Sequence, residues 1–82
     1  MVKLYFEELI MKKIFIHTDY IELQNVLKKE NIISTGGEAK IFLQMNKIFV
    51  NDILENRRGR KLYPGDKVKV GETIYLIDKD VG

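Results

Sequence analysis

Ile33-Ser34-Thr35-Gly36-Gly37-Glu38-Ala39-Lys40-Ile41-Phe42-Leu43 is the stretch on which the fold turns. A Thr followed three residues later by Glu makes a capping box, in which each side chain accepts a hydrogen bond from the other residue's backbone amide. The spacing predicts a helix that begins near Gly36. Ala39, Phe42 and Leu43 then share one face at i, i+3 and i+4, while Lys40, Gln44 and Lys47 point to solvent. Each glycine costs a helix interior roughly 1 kcal/mol, and less in the first turn, so the pair at Gly36-Gly37 needs a reason. Either a phosphate comes close to the amides at the positive end of the helix, or the chain turns tightly against a preceding helix. Glu38 weighs against the phosphate, which its carboxylate would partly repel.

Upstream, Leu23, Val26 and Leu27 give a second, shorter apolar stripe that fades by Glu30-Asn31, with Asp19 or Glu22 at its start, where negative charge suits the helix dipole. Downstream the period drops to two. Ile48 and Val50 begin a strand, Asn51-Asp52 is hairpin-turn chemistry and Ile53 begins the return. Tyr63-Pro64-Gly65-Asp66 reads as a turn with Pro and Gly at its central positions, leading into Val68 and Val70; Gly71-Glu72 turns the chain again into Thr73 to Ile77. Val2, Leu4 and Phe6 alternate with polar neighbours, as do Ile14 and Ile16, predicting a hairpin or sheet edge at the N-terminus. Met11-Lys12-Lys13 also suits a second translation start. The expected fold class is α+β, with two short packed helices against a small antiparallel sheet. One domain is expected over residues 1–82, with an N-terminal strand extension at 1–18, a core at 20–70 and a C-terminal strand and tail at 71–82.

Composition narrows the function classes. An 82-residue chain, 45% hydrophobic, supports one modest core and no deep pocket. No apolar run reaches the roughly 18 residues of a membrane-spanning helix. Glu7 and Glu8 interrupt the N-terminal apolar stretch, so secretion is not expected, and the lack of cysteine fits a reducing, cytoplasmic setting. The net charge is only +2, but it is unevenly placed. Between Lys40 and Val70, eight cations face three acids; the rest of the chain carries six cations and nine acids. The densest point is Arg57-Arg58-Gly59-Arg60-Lys61. Guanidinium groups are planar, always charged and able to donate paired hydrogen bonds to phosphate oxygens. Such a loop fits a polyanion, and it equally fits a solvated surface run when taken alone.

Other chemistry has little to build on. His17 is the only histidine and has no ligand cluster around it, so neither a metal nor another cofactor is expected. Asp66 lies in a turn, and Glu55 lies beside the basic loop, where orienting an arginine suits it better than acid–base catalysis. Tyr5, Tyr20, Tyr63, Tyr75, Phe15, Phe42 and Phe49 could include a base-stacking residue, but most are expected in the core.

Five ordered blocks carry a resemblance: Ile21-Glu22-Leu23-Gln24-Asn25-Val26-Leu27-Lys28, Ile33 to Lys40, Val50-Asn51-Asp52, Arg57 to Leu62, and Pro64-Gly65-Asp66-Lys67-Val68. Together they resemble the S-four RNA-binding domain, or alpha-L motif, of a small-subunit ribosomal protein, pseudouridine synthases and tyrosyl-tRNA synthetases. The Ser-Thr-Gly-Gly and Arg-Arg-Gly-Arg-Lys blocks look most like the small free-standing YaaA-type bacterial proteins. The resemblance implies two helices in an L against a bent antiparallel sheet, and a non-catalytic protein that grips the backbone of structured RNA, ribosomal or transfer. It implies RNA contacts by Ser34, Thr35, Gly36, Gly37, Lys40, Arg57, Arg58, Arg60 and Lys61, and Lys47, a cation of the same basic half, joins the expected contact set. A ribosome-associated, cytoplasmic, monomeric bacterial protein is expected; the alternative is a module that docks an acidic protein surface. Thr35-Gly36 replaces the Ser-Arg that many members carry at the second helix, so the cation there falls to Lys40 or to the later loop. Asp52 stands where glycine is usual.

Overall fold

The computed structural model describes residues 10–81. Its elements are β1 (Ile10–Ile16), β2 (Ile21–Glu22), α1 (Leu23–Lys29), α2 (Gly36–Met45), β3 (Ile48–Val50), β4 (Ile53–Glu55), β5 (Lys61–Leu62), β6 (Lys67–Val70) and β7 (Thr73–Lys79). The strand expected at residues 2–6 lies outside the described residues. The fold is α+β.

Both helices start and stop where local chemistry directs. At α2, the Glu38 amide donates to Thr35 Oγ1 at 3.2 Å and the Thr35 amide donates to Glu38 Oε1 at 3.1 Å, completing the capping box. The Ser34 amide donates to the same carboxylate oxygen. α1 ends differently. Asn31 takes the left-handed conformation at φ 61, and the Ile32 and Asn31 amides donate to the Leu27 and Lys28 carbonyls at 2.9 and 3.0 Å. This is the Schellman arrangement, which satisfies carbonyls that the last turn would otherwise leave bare.

Five strands form one sheet in the order β1-β7-β6-β3-β4, and β2 pairs with β5 in a separate two-stranded ribbon. All pairings are antiparallel except β1 with β7, which is parallel, so the main sheet is mixed. The alternation of Ile14 and Ile16 marks which side chains face inward, and it holds no information on strand direction. β1 reaches its place at the sheet edge because both helices and the hairpin intervene before β7 returns. Antiparallel neighbours need only short turns, whereas a parallel pair needs a long crossover.

Those turns have the conformations their residues favour. Asn51 and Asp52 both have positive φ, 51 and 70, as a two-residue type I′ hairpin between β3 and β4 requires. Gly65 takes φ 99 in the turn closed by the Asp66 amide on the Tyr63 carbonyl at 2.9 Å. Asn51 joins the two turns: its Nδ2 donates to Asp66 Oδ1 and its Oδ1 accepts from the Lys67 amide, both at 3.0 Å.

One face of the sheet receives both helices. Leu23, Val26 and Leu27 of α1 and Ala39 and Leu43 of α2 are buried against Ile14, Ile48, Val50, Val68 and Ile77. Leu62 from the ribbon joins this core. Phe42 is only half-buried, at its margin. Full burial of each large aliphatic side chain contributes about 1.5–3 kcal/mol. Among the described residues no helix is long and apolar enough to cross a membrane.

Two outcomes are expected in thermal unfolding followed by circular dichroism. Thr35→Ala removes the cap and costs about 1 kcal/mol, which in a domain this small lowers the midpoint by roughly 4–8 °C. Asp52→Gly relieves a left-handed non-glycine residue in the type I′ turn and raises stability by up to about 1 kcal/mol.

Candidate functional site

The basic loop between β4 and β5 is fastened by its backbone before its side chains do anything. Helix α1 has Glu22 as N-cap without a side-chain cap, since the Glu22 carboxylate accepts from Gln24 Nε2 at 2.7 Å instead. The exposed amides of the first turn go to the loop: Leu23 donates to the Arg60 carbonyl and Gln24 to the Arg58 carbonyl, each at 2.9 Å. The loop itself closes with the Arg60 amide on the Arg57 carbonyl at 3.1 Å. Orphan helix amides and loop carbonyls thus satisfy each other. The loop's side chains are left to face outward or sideways.

Two of its guanidinium groups share one carboxylate. Arg57 donates from Nε and Nη2 to Glu55 Oε2 and Oε1 at 2.8 and 3.1 Å, a two-pronged contact, and Arg60 donates from Nη1 to Glu55 Oε1 at 2.7 Å. The Arg57 amide adds a bond to Glu55 Oε2 at 2.9 Å. Glu55 is only 6% exposed, because strand alternation pairs it with the fully buried Ile48. The Arg57 side-chain hydrogen bonds hold its carboxyl down to about 2, against the opposing push of burial, helped by the Arg57 amide and by Arg60. Arg57 and Arg60 are therefore set in place rather than loose.

Arg58 reaches the other helix, donating from Nη1 to the Gly36 carbonyl in the first turn of α2 at 2.7 Å. A Cβ on Gly36 would lie 2.9 Å from Gln24 Oε1, the end of a flexible side chain, and at an ordinary 3.7 Å from Arg58 Nη1, so Gly36 leaves room for the Gln24 side chain of α1. Gly37 is different: only Thr35 Oγ1, at 3.8 Å, comes near, and its surface is open. The cation beside the start of the second helix is supplied by the loop through Arg58. Lys40 instead lies further along α2, in a shallow groove with Leu43, Lys47, Leu54, Glu55 and Asn56.

The ten residues singled out from the sequence thus fall into a connected arrangement. Ser34, Thr35, Gly36 and Gly37 form the opening of α2, with the backbone of the first two and the Thr35 hydroxyl tied to Glu38. Arg58 links that opening to the loop, and Lys40 and Lys47 flank the side occupied by Glu55. No salt bridge among the described residues engages Lys40, Lys47, Arg58 or Lys61. Six cations accompany a single buried carboxylate. Such a surface attracts an anion whose charge is distributed over several oxygens. Asp66, by contrast, serves its turn, accepting from the Tyr63 amide at 2.8 Å.

Two participants fall outside the ten residues named for RNA contact. Gln24 packs at Gly36, and Tyr20 lies under the Lys61 ammonium, 4.8 Å from its ring centroid. Neither has a local signal, since each meets a residue far along the chain. Glu55 is buried by its place opposite Ile48 across the hairpin, although Ile53, two residues before it, is exposed.

Because the folded Glu55 titrates near 2 and the unfolded one near 4.5, its stabilising contribution is complete above about pH 4.5 and is lost as pH falls towards 2. Glu55→Gln is expected to cost about 2 kcal/mol near neutrality, in the range of hydrogen bonds to charged groups. The gap between wild type and variant in urea unfolding should close through that acidic window.

Comparison with known proteins agrees with this architecture. A "probable ribosome maturation protein" of Bacillus subtilis, RlbA, is 49% identical over 57 residues, covering 70% of this chain and 80% of that protein. The S4 domain family matches residues 14–78, from the inner end of β1 to nearly the end of β7. With both helices, the hairpin and the basic loop inside that span, the chain belongs to the S4 domain family.

Proposed function

We propose that this chain is a non-catalytic RNA-binding protein that grips the backbone of structured RNA, with ribosomal RNA or its precursors as the target and the cytoplasm as the setting. Its similarity to a probable ribosome maturation protein supports the choice of target. One observation carries the reading: the loop Arg57–Lys61 is pinned to the first turns of both helices, so that fixed guanidinium groups and freer lysines lie on one connected surface. Fixed donors lose little freedom on meeting phosphate oxygens, and lysines adjust around them. Ser34, Thr35, Gly36, Gly37, Lys40, Lys47, Arg57, Arg58, Arg60 and Lys61 are the proposed contact set. Gly37, with open space before it, offers the close backbone approach that Gly36 gives instead to protein packing. Contacts of this kind read the shape of an RNA more than its base sequence. A monomer suffices, since all of these residues come from one chain.

The test is a salt series with a structured ribosomal RNA fragment. Lys40→Gln/Lys47→Gln/Lys61→Gln leaves the Glu55 cluster intact and should weaken binding. It should also make the plot of log affinity against log salt shallower by roughly 0.7–0.9 for each phosphate that the variant no longer neutralises. An unchanged affinity and slope, or retention of an acidic protein with no RNA after purification from cells, would overturn the proposal. Gly37→Ala separates site from fold: it should raise the melting temperature while lowering RNA affinity.

A further inference from the structure

Among the described residues, the aromatic side chains do not gather in the core as expected. Tyr75 is buried, Phe42 and Phe49 are half-buried, and Phe15, Tyr20 and Tyr63 are exposed. Two of the exposed rings meet. The β2–β5 ribbon pairs Ile21 with Leu62, and the next residues out, Tyr20 and Tyr63, bring their ring centroids to 5.8 Å with planes tilted by 49°. Lys61 Nζ covers the Tyr20 ring. Tyr63 keeps 48% of its surface exposed.

A tilted tyrosine pair on a short ribbon is explained in part by mutual packing. Its position adds something that packing does not require. Tyr63 lines a shallow indentation together with Arg57, Gly59, Arg60 and Lys61, so an aromatic ring and three cations border the same depression. Gly59 presents no side chain there, and nothing in the protein lies within 4 Å of where a Cβ would stand. A nucleotide combines a phosphate with a flat base whose faces stack on aromatic rings, and it needs both kinds of surface side by side. In a paired stem the base faces are already stacked on one another; only an unpaired nucleotide can turn a face to a tyrosine.

We propose that Tyr63, braced by Tyr20, is a stacking platform for an unpaired RNA base whose adjoining phosphate is held by Arg57 and Lys61. The target RNA then carries a single-stranded nucleotide next to a paired segment. The inference rests on the RNA-binding reading above and adds to it the structural class of the RNA. Lys61, placed over Tyr20, holds that ring as a support and leaves the contact with the base to Tyr63.

Two RNA probes of equal length and phosphate number decide it: a fully paired duplex, and the same duplex with three central nucleotides of one strand mismatched and unpaired. The wild type should bind the second more tightly. Tyr63→Leu should weaken binding to it roughly 5- to 150-fold, the range expected from losing one stacked base, and leave the paired duplex unchanged. Tyr63→Phe, which keeps the ring, should remain within about twofold of the wild type on both probes. Melting temperatures of both variants control for folding, and an ultraviolet crosslink to the unpaired nucleotide should map to Tyr63. Equal loss on both probes, no loss on either, or a crosslink elsewhere would overturn the inference while leaving the RNA-binding reading standing. Failure of the wild type to bind either probe would overturn both.

Discussion

The amides of Leu23 and Gln24, at the start of a helix with no side-chain cap, need acceptors, and the carbonyls of Arg60 and Arg58 supply them. Much of the surface architecture depends on that exchange. It brings a loop 35 or so residues downstream against α1, aligns β5 with β2, and so carries Leu62 into the core and Tyr63 alongside Tyr20. It also sets the Arg58 side chain within reach of the first turn of α2. A helix end left bare in such a position would cost free energy for each unsatisfied amide. Here the same bonds that complete the helix also immobilise the most cationic stretch of the chain.

Concentrating cations carries a penalty of mutual repulsion, and Glu55 offsets it from below. Its carboxylate is taken from solvent by strand alternation and then satisfied by two guanidinium groups and an amide. Removing water raises the cost of an unpaired charge and strengthens a paired one, so the pairing must be nearly complete to be tolerated. Although the Arg57 side chain is 70% exposed, its two-pronged contact gives it a defined orientation. Lys40 and Lys47 lack such partners among the described residues and retain the freedom of surface lysines.

The departure from the wider family at the second helix becomes intelligible in these terms. Thr35-Gly36 stands where many members have Ser-Arg, and the guanidinium at that helix start comes from Arg58, across the chain. Gly36 leaves room beside it for the Gln24 side chain. The hairpin departure resolves differently: Asp52 takes the left-handed conformation expected of glycine at that position, and the turn keeps its type.

The elements were legible because their signals are local. The capping box, the apolar stripes, Asn51-Asp52 and Pro64-Gly65 each act within a few residues, where hydrogen bonding and steric preference decide the backbone almost alone. The basic loop and its likeness to a known family were legible for the same reason. Strand direction at β1, the two-residue ribbon of β2 and β5, and the exposure of Tyr20 and Tyr63 were not, since they depend on which distant segments meet. The sequence by itself determined that two short helices and a hairpin would form beside a run of four cations. Only the tertiary structure decided that two of those cations share the Glu55 carboxylate, that a third spans to the opposite helix, and that the fourth lies over a tyrosine. Charge pairing and aromatic contact act over a few ångströms in space, and no spacing along the chain encodes them.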